Sequence, residues 1–149
     1  MSMTFPYNRF NLAAPRYDGK GYRAKPIFTV TLIGPSGSVP RDGLADSGAD
    51  DTVFPDSDAA LLGIDLTNAP TGTASGVGMA GATTRYAQVT LRITDGIERR
   101  EWTAWVGFVS VPLRRPLLGQ AGFLEFFNAK FKGRAERLVL MVNRSYVGS

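Results

Sequence analysis

Few kinds of side chain in this sequence can do chemistry. Its 149 residues include no histidine and no cysteine. That excludes a Ser-His-Asp triad, a thiol nucleophile, a histidine-based zinc site and a disulfide framework. Acid–base work near neutral pH is left to carboxylates, tyrosine or lysine. One stretch concentrates such groups: Leu44-Ala45-Asp46-Ser47-Gly48-Ala49-Asp50-Asp51-Thr52-Val53-Phe54. An apolar run delivers Asp46 into a Ser-Gly turn, two more acids follow, and the chain becomes apolar again. Asp-Ser-Gly alone is ordinary turn chemistry. The apolar flanks argue instead for a carboxylate held at the end of a buried strand. Ser47 offers a hydroxyl beside it, and Gly48 leaves room for another group to approach closely.

Asp46-Ser47-Gly48-Ala49-Asp50-Asp51-Thr52-Val53 resembles the active-site loop of the retropepsins, the retroviral-type aspartic proteases. Their signature is Asp-Thr/Ser-Gly-Ala, often continued by further acids and an apolar residue. Two later segments match in the expected order. Ser75-Gly76-Val77-Gly78 with Tyr86-Ala87-Gln88-Val89 resembles the family's glycine-rich flap and its return strand. Pro116-Leu117-Leu118-Gly119, followed by Gln120 to Phe127, resembles the apolar-apolar-Gly segment and the short helix after it. Three motifs in the right order are much more specific than any one of them.

The resemblance implies an all-β fold: a retropepsin-like acid protease barrel with a glycine-rich flap hairpin and one or two short helices, forming half of a two-fold symmetric dimer. It implies catalytic roles for Asp46, Ser47 and Gly48, with Ser47 bonded across the axis to the partner loop and Gly48 touching the substrate backbone. Ala49, Asp50 and Asp51 are implied as substrate-binding, as are Gly76, Val77 and Gly78, with the Val77 N–H at the flap tip. No metal and no organic cofactor is implied. Two positions depart from the retroviral pattern. Gln120 stands where many viral members carry an arginine that pairs with the acid at Asp50, so Arg114, Arg115 or an arginine of the N-terminal arm would have to substitute. Met79 stands where viral members usually carry glycine. The long N-terminal arm and basic C-terminal hairpin are more similar to cellular and bacterial members.

A single Asp-Ser-Gly has a consequence. Aspartic proteolysis uses two carboxylates sharing one proton, because like charges about 3 Å apart do not both ionise cheaply. A two-fold axis places a residue opposite itself. The expectation is a homodimeric aspartic endopeptidase that hydrolyses peptide bonds with a water activated by two Asp46 carboxylates, one per subunit. The alternative is a catalytically inactive retropepsin-fold domain that binds peptides or scaffolds a partner, since a fold does not guarantee an activity.

The elements that must position this loop read mostly as strands. Glycine (17) and proline (9) are plentiful and helix-period segments scarce, which favours an all-β domain over residues 26–149 behind an arm of residues 1–25. The arm reads either as flexible or as an element that pairs with a partner subunit or lies near the cleft. Pro26 to Gly34 alternates as a strand, Pro35 to Pro40 reads as a turn, and Arg41 to Ala45 leads into Asp46. Thr52 to Phe54 continues as a strand. Asp56 to Leu62 reads as a short helix capped by Asp56 or Ser57 and stopped by Gly63. Thr71 to Ile93 is the glycine-rich hairpin, a candidate lid. Glu98 to Val111 alternates again, with Trp102 and Trp105 as packing residues. Asn128–Lys132 and Arg137–Asn143 form a last hairpin, where the continuous apolar run Leu138 to Val142 asks for cover on both faces, as a partner chain would supply.

The net charge of +4 comes from dispersed arginines, which reads as a solubilising surface with no nucleic-acid partner. No apolar stretch is long enough for a membrane span, and Met1 to Tyr7 lacks a signal-peptide pattern. A cytoplasmic protein acting on polypeptide substrates is the expectation.

Overall fold

The computed structural model describes residues 1–74 and 82–149. Strands β1 (Ser2–Pro6), β2 (Asn8–Asn11) and β3 (Tyr22–Lys25) are followed by β4 (Ile27–Gly34), β5 (Gly37–Ala45), β6 (Val53–Pro55) and helix α1 (Asp56–Leu62). Then come β7 (Thr71–Ala74), β8 (Ala82–Thr94), β9 (Arg99–Val109), β10 (Leu117–Leu118), a 3-10 turn at Leu124–Phe126, β11 (Phe127–Lys132) and β12 (Arg137–Val142). The main sheet runs β4-β5-β10-β6-β9-β8-β7. A further β4–β8 pairing, Thr31 to Ile33 against Arg92 to Thr90, closes six of these strands into a barrel. The all-β expectation holds.

Alternation explains the barrel. Val30 and Leu32 of β4, Val89, Leu91 and Ile93 of β8, and Trp102, Ala104, Val106 and Phe108 of β9 are all buried. Each set is spaced by two, the period that puts residues on one face of a strand. β8 and β9 keep one register throughout, from Thr84 opposite Val109 to Thr94 opposite Arg99. Yet the buried face of β8 changes along its length. Near its end Val89, Leu91 and Ile93 face the core, whereas at its start Ala82 and Thr84 are buried on the other face. The first half of β8 stays paired with β9 but not with β4, and its Tyr86 reaches Asp51 in the loop that follows β5.

Trp102 fastens the C-terminal part to the barrel. Its ring meets Phe123 and Phe127 edge-on at 5.4 and 5.3 Å, and its indole N–H donates to the Gly122 carbonyl at 3.0 Å. Such edge-to-face contacts add to area burial. Trp105, three residues on and on the opposite face, is 53% exposed. A second sheet, β1-β12-β11, covers this end of the core. Met3 and Phe5 of β1 and Leu138 and Leu140 of β12 point inward, and Phe5 stacks on Phe28 at 4.4 Å.

Several local expectations change. The turn between β4 and β5 is only Pro35-Ser36, and Pro40 lies inside β5 opposite Thr31. At that level β5 has no second neighbour among the described strands, the edge position where proline is tolerated. Helix α1 spans Asp56–Leu62 as expected, and Gly63 ends it at φ 72°, a left-handed conformation suited to glycine. Its N-cap is Pro55, with no side-chain cap. The helix expected after Gly119 shrinks to one 3-10 turn, because Phe127 already begins β11. The run Leu138 to Val142 alternates after all: Leu138 and Leu140 are buried while Met141 is 47% exposed. Within residues 1–25, β1 pairs with β12 of the same chain and β2 pairs with β3. The Thr4 N–H, on the free edge of β1, donates to Asp95 in the β8–β9 turn at 3.0 Å.

Candidate active site

Asp46 follows directly on β5, between two backbone anchors. The Leu44 N–H donates to the Pro116 carbonyl and the Asp46 N–H to the Leu118 carbonyl, at 2.9 and 3.0 Å. These bonds continue the parallel pairing of β5 with β10. Beyond this point the chain turns sharply. The Asp46 carboxylate accepts from the Gly48 N–H at 2.9 Å, and its carbonyl accepts from the Ala49 N–H at 3.2 Å. Asp46 as a residue is half-buried, while Ser47, Gly48 and Asp50 are exposed.

The loop is laced to the segment after β10. Gln120 N–H donates to Ala49, Ala121 N–H to Asp50, and Thr52 N–H back to Ala121, at 2.8–3.0 Å. Buried Thr52 adds its hydroxyl, which accepts from the Gly119 N–H at 3.2 Å. The two backbones lie so close that a Cβ on Gly119 would sit 2.3 Å from the Asp51 carbonyl oxygen and 2.7 Å from that of Ala49. Only glycine fits there, which accounts for the apolar-apolar-Gly pattern in physical terms. From the other side the Gly107 N–H donates to the Thr52 carbonyl at 2.8 Å. Every strand that meets at this corner therefore holds the loop.

Two side chains complete the frame, and neither bond was visible from sequence. Gln120 donates from Nε2 to the Ser47 carbonyl at 2.9 Å. The position that departs from the viral arginine thus supports the loop backbone directly. Tyr86 of β8 donates its hydroxyl to Asp51 Oδ2 at 2.7 Å. Burial first, then the bond to Asp51 and its negative charge, push the Tyr86 phenol up to about 12, so it remains a donor at neutral pH. Tyr86 stood out in the sequence only as part of the flap spacing. It lies on the same face of β8 as buried Ala82 and Thr84.

Asp46, Ser47, Gly48, Ala49, Asp50 and Asp51 thus fall on one tight loop. The Ala49 side chain is buried and its backbone groups are bonded inside the loop network. Gly76, Val77, Gly78 and Met79 lie outside the described residues. Arg114 and Arg115 do not pair with the loop acids through any described ion pair; Arg115 lies over the Phe10 ring instead, 4.8 Å from its centroid. Among the described residues no group of three acidic side chains could hold a metal, and no helix is long and apolar enough to cross a membrane.

Against known structures the chain is similar to a retropepsin-like aspartic protease from Rickettsia conorii. The match has 20% sequence identity and a TM-score of 0.52, and it covers 94% of each chain. The likeness establishes a retropepsin-like fold. No family model and no curated protein matches the sequence.

Proposed function

We propose that this chain is an aspartic endopeptidase that works as a homodimer, with one Asp46 from each subunit in a single site. The observation that carries this reading is the Asp46 carboxylate itself. The residue is held half-buried at the end of a barrel strand, in a loop bonded to β10, β9 and β8, on a retropepsin-like fold. Two such carboxylates brought together about a two-fold axis would share one proton. The ionised Asp46 takes a proton from a water as that water attacks the peptide carbonyl. The protonated Asp46 of the other subunit donates a hydrogen bond to the carbonyl oxygen as charge grows on it, then passes its proton on as the amine leaves.

The other roles rest on position and on the resemblance. The Gly48 N–H keeps its own carboxylate oriented. The exposed Ser47 hydroxyl would bond the partner loop across the axis, a role that the resemblance supports. The resemblance supports contacts of Asp50 and Asp51, with the neighbouring Ala49, to the backbone of an extended polypeptide substrate. For Gly76, Val77 and Gly78, which lie outside the described residues, the resemblance of their sequence to the family's flap supports a role in contacting the substrate.

The test is cleavage of an unstructured protein substrate by the wild-type chain and by Asp46→Asn across acidic to neutral pH, with and without a transition-state-mimicking aspartic protease inhibitor. Inhibitable cleavage by wild type alone supports the reading. Equal cleavage by both proteins overturns it. No cleavage by a folded, dimeric wild type shifts the reading to an inactive peptide-binding domain.

A further inference from the structure

A surface pocket of about 480 Å³ lies beside the catalytic corner, lined by four arginines, Arg9, Arg41, Arg114 and Arg115, with Phe10 on its wall and one carboxylate, Asp42. The charges are not equivalent. Arg41 is held in two-pronged fashion by buried Asp58 at 2.8–3.2 Å, and Arg9 by Glu136 at 2.7 Å. Asp42 accepts from the Thr29 hydroxyl at 2.8 Å. Arg114 and Arg115 enter no ion pair with a described residue. Arg115 is steadied over the Phe10 ring, and the Lys25 ammonium lies 5.9 Å from the same ring. Burial, then the neighbouring charges of Arg115, Arg114 and Arg23, lower the Lys25 pKa. The cations are therefore close enough to repel one another, and an incoming anion relieves that repulsion.

The place of the pocket says what kind of anion. Asp42 lies on β5 and Asp46 directly follows the strand's last residue, four residues on, about 13 Å at 3.3 Å per residue. The Pro116 carbonyl, on the pocket wall, holds Leu44 between them. An extended peptide with its scissile bond at Asp46 reaches the pocket with a residue about three or four positions away. The volume suits one side chain with its waters, not the track that a nucleic acid needs.

We infer that this pocket is a specificity subsite that takes an aspartate or glutamate side chain of the polypeptide substrate, with Arg114 and Arg115 as its ligands. The inference rests on the proteolytic reading of Asp46. The experiment uses quenched-fluorescence peptides that differ only by Glu or Gln, moved through the positions three and four residues on either side of the scissile bond. Wild type is compared with Arg114→Gln/Arg115→Gln, which leaves the structural pairs of Arg9 and Arg41 intact. The Glu peptide should be cleaved with a kcat/KM about tenfold above its Gln twin, as a charge-assisted contact implies. In the double variant the two peptides should converge on the Gln value, and added salt should narrow the wild-type gap. No Glu preference, or a preference unchanged in the variant while the Gln peptide is still cleaved, overturns the subsite and spares the protease reading. If nothing is cleaved, fluorescence anisotropy with Asp46→Asn decides. Tighter binding of the Glu peptide, lost in Asp46→Asn/Arg114→Gln/Arg115→Gln, supports the pocket as an acidic-peptide site, and equal binding of the two peptides overturns it.

Discussion

The Tyr86 hydroxyl donates to Asp51 Oδ2 at 2.7 Å, and this bond joins β8 to the Asp46 loop. Thirty-five residues separate the two in sequence. The bond makes β8 and the Asp46 loop one mechanical unit. A Cβ on Gly72 would sit 2.8 Å from the Tyr86 ring, so β7 is packed against the same side chain.

Tyr86→Phe should therefore lower kcat/KM for peptide cleavage several-fold and cost roughly 1–3 kcal/mol of stability, the usual cost of leaving a part-buried acceptor without its donor. Steady-state kinetics and thermal melts check both. The pH dependence has a definite sign. The folded-state pKa of Tyr86 is raised from 10.0 to about 12, so its stabilising effect is complete below pH 10 and is lost as pH climbs through 12. Wild type should lose more stability over that window than Tyr86→Phe, and parallel melting curves would contradict the assignment.

Gly119→Ala tests the close packing of the two loops. The new methyl would overlap the Asp51 and Ala49 carbonyls, whose backbone belongs to the Asp46 loop. Overpacking of this kind costs about 1–3 kcal/mol and displaces the backbone. The expected result is a folded protein with lowered melting temperature and a disproportionate loss of cleavage. Unchanged activity would show that the corner yields without consequence.

Arg41 holds Asp58, which is 1% exposed in the first turn of α1. Arg41→Ala would leave that carboxylate buried without its charge partner, at a cost of about 3–5 kcal/mol. Asp58→Asn, which keeps the shape and removes the charge, should cost less. Urea unfolding of the two variants gives the order, and the reverse order would mean that the pair stabilises through packing alone.

Some of this was legible in the sequence. The apolar flanks of Asp46 placed it at a strand end, because no surface turn needs Ala45 and Val53 buried on either side of it. Asp56 to Leu62 followed by Gly63 read as a helix because a left-handed stop has a local residue signature. What was missed depends on partners far along the chain. Nothing near Tyr86 names Asp51, and nothing near Arg41 names Asp58. Gln120 read as the loss of an ion pair, yet the amide gains a bond to the Ser47 carbonyl that only the folded loop brings within reach. Pro40 read as a turn because its place on a stretch of β5 paired on one side only is a tertiary fact. Leu138 to Val142 read as doubly buried because apolar residues on an exposed face look the same in one dimension as those in a core.

The central claim is that one site needs an Asp46 from each of two chains, and subunit mixing tests it most directly. Wild type is mixed with rising proportions of Asp46→Asn under conditions that let subunits exchange, and cleavage is read at constant total protein. With equal parts, only about a quarter of randomly formed dimers carry two aspartates, so activity should fall with the square of the wild-type fraction. Activity that falls in simple proportion to the wild-type fraction would mean that each chain cleaves on its own, and would contradict the account.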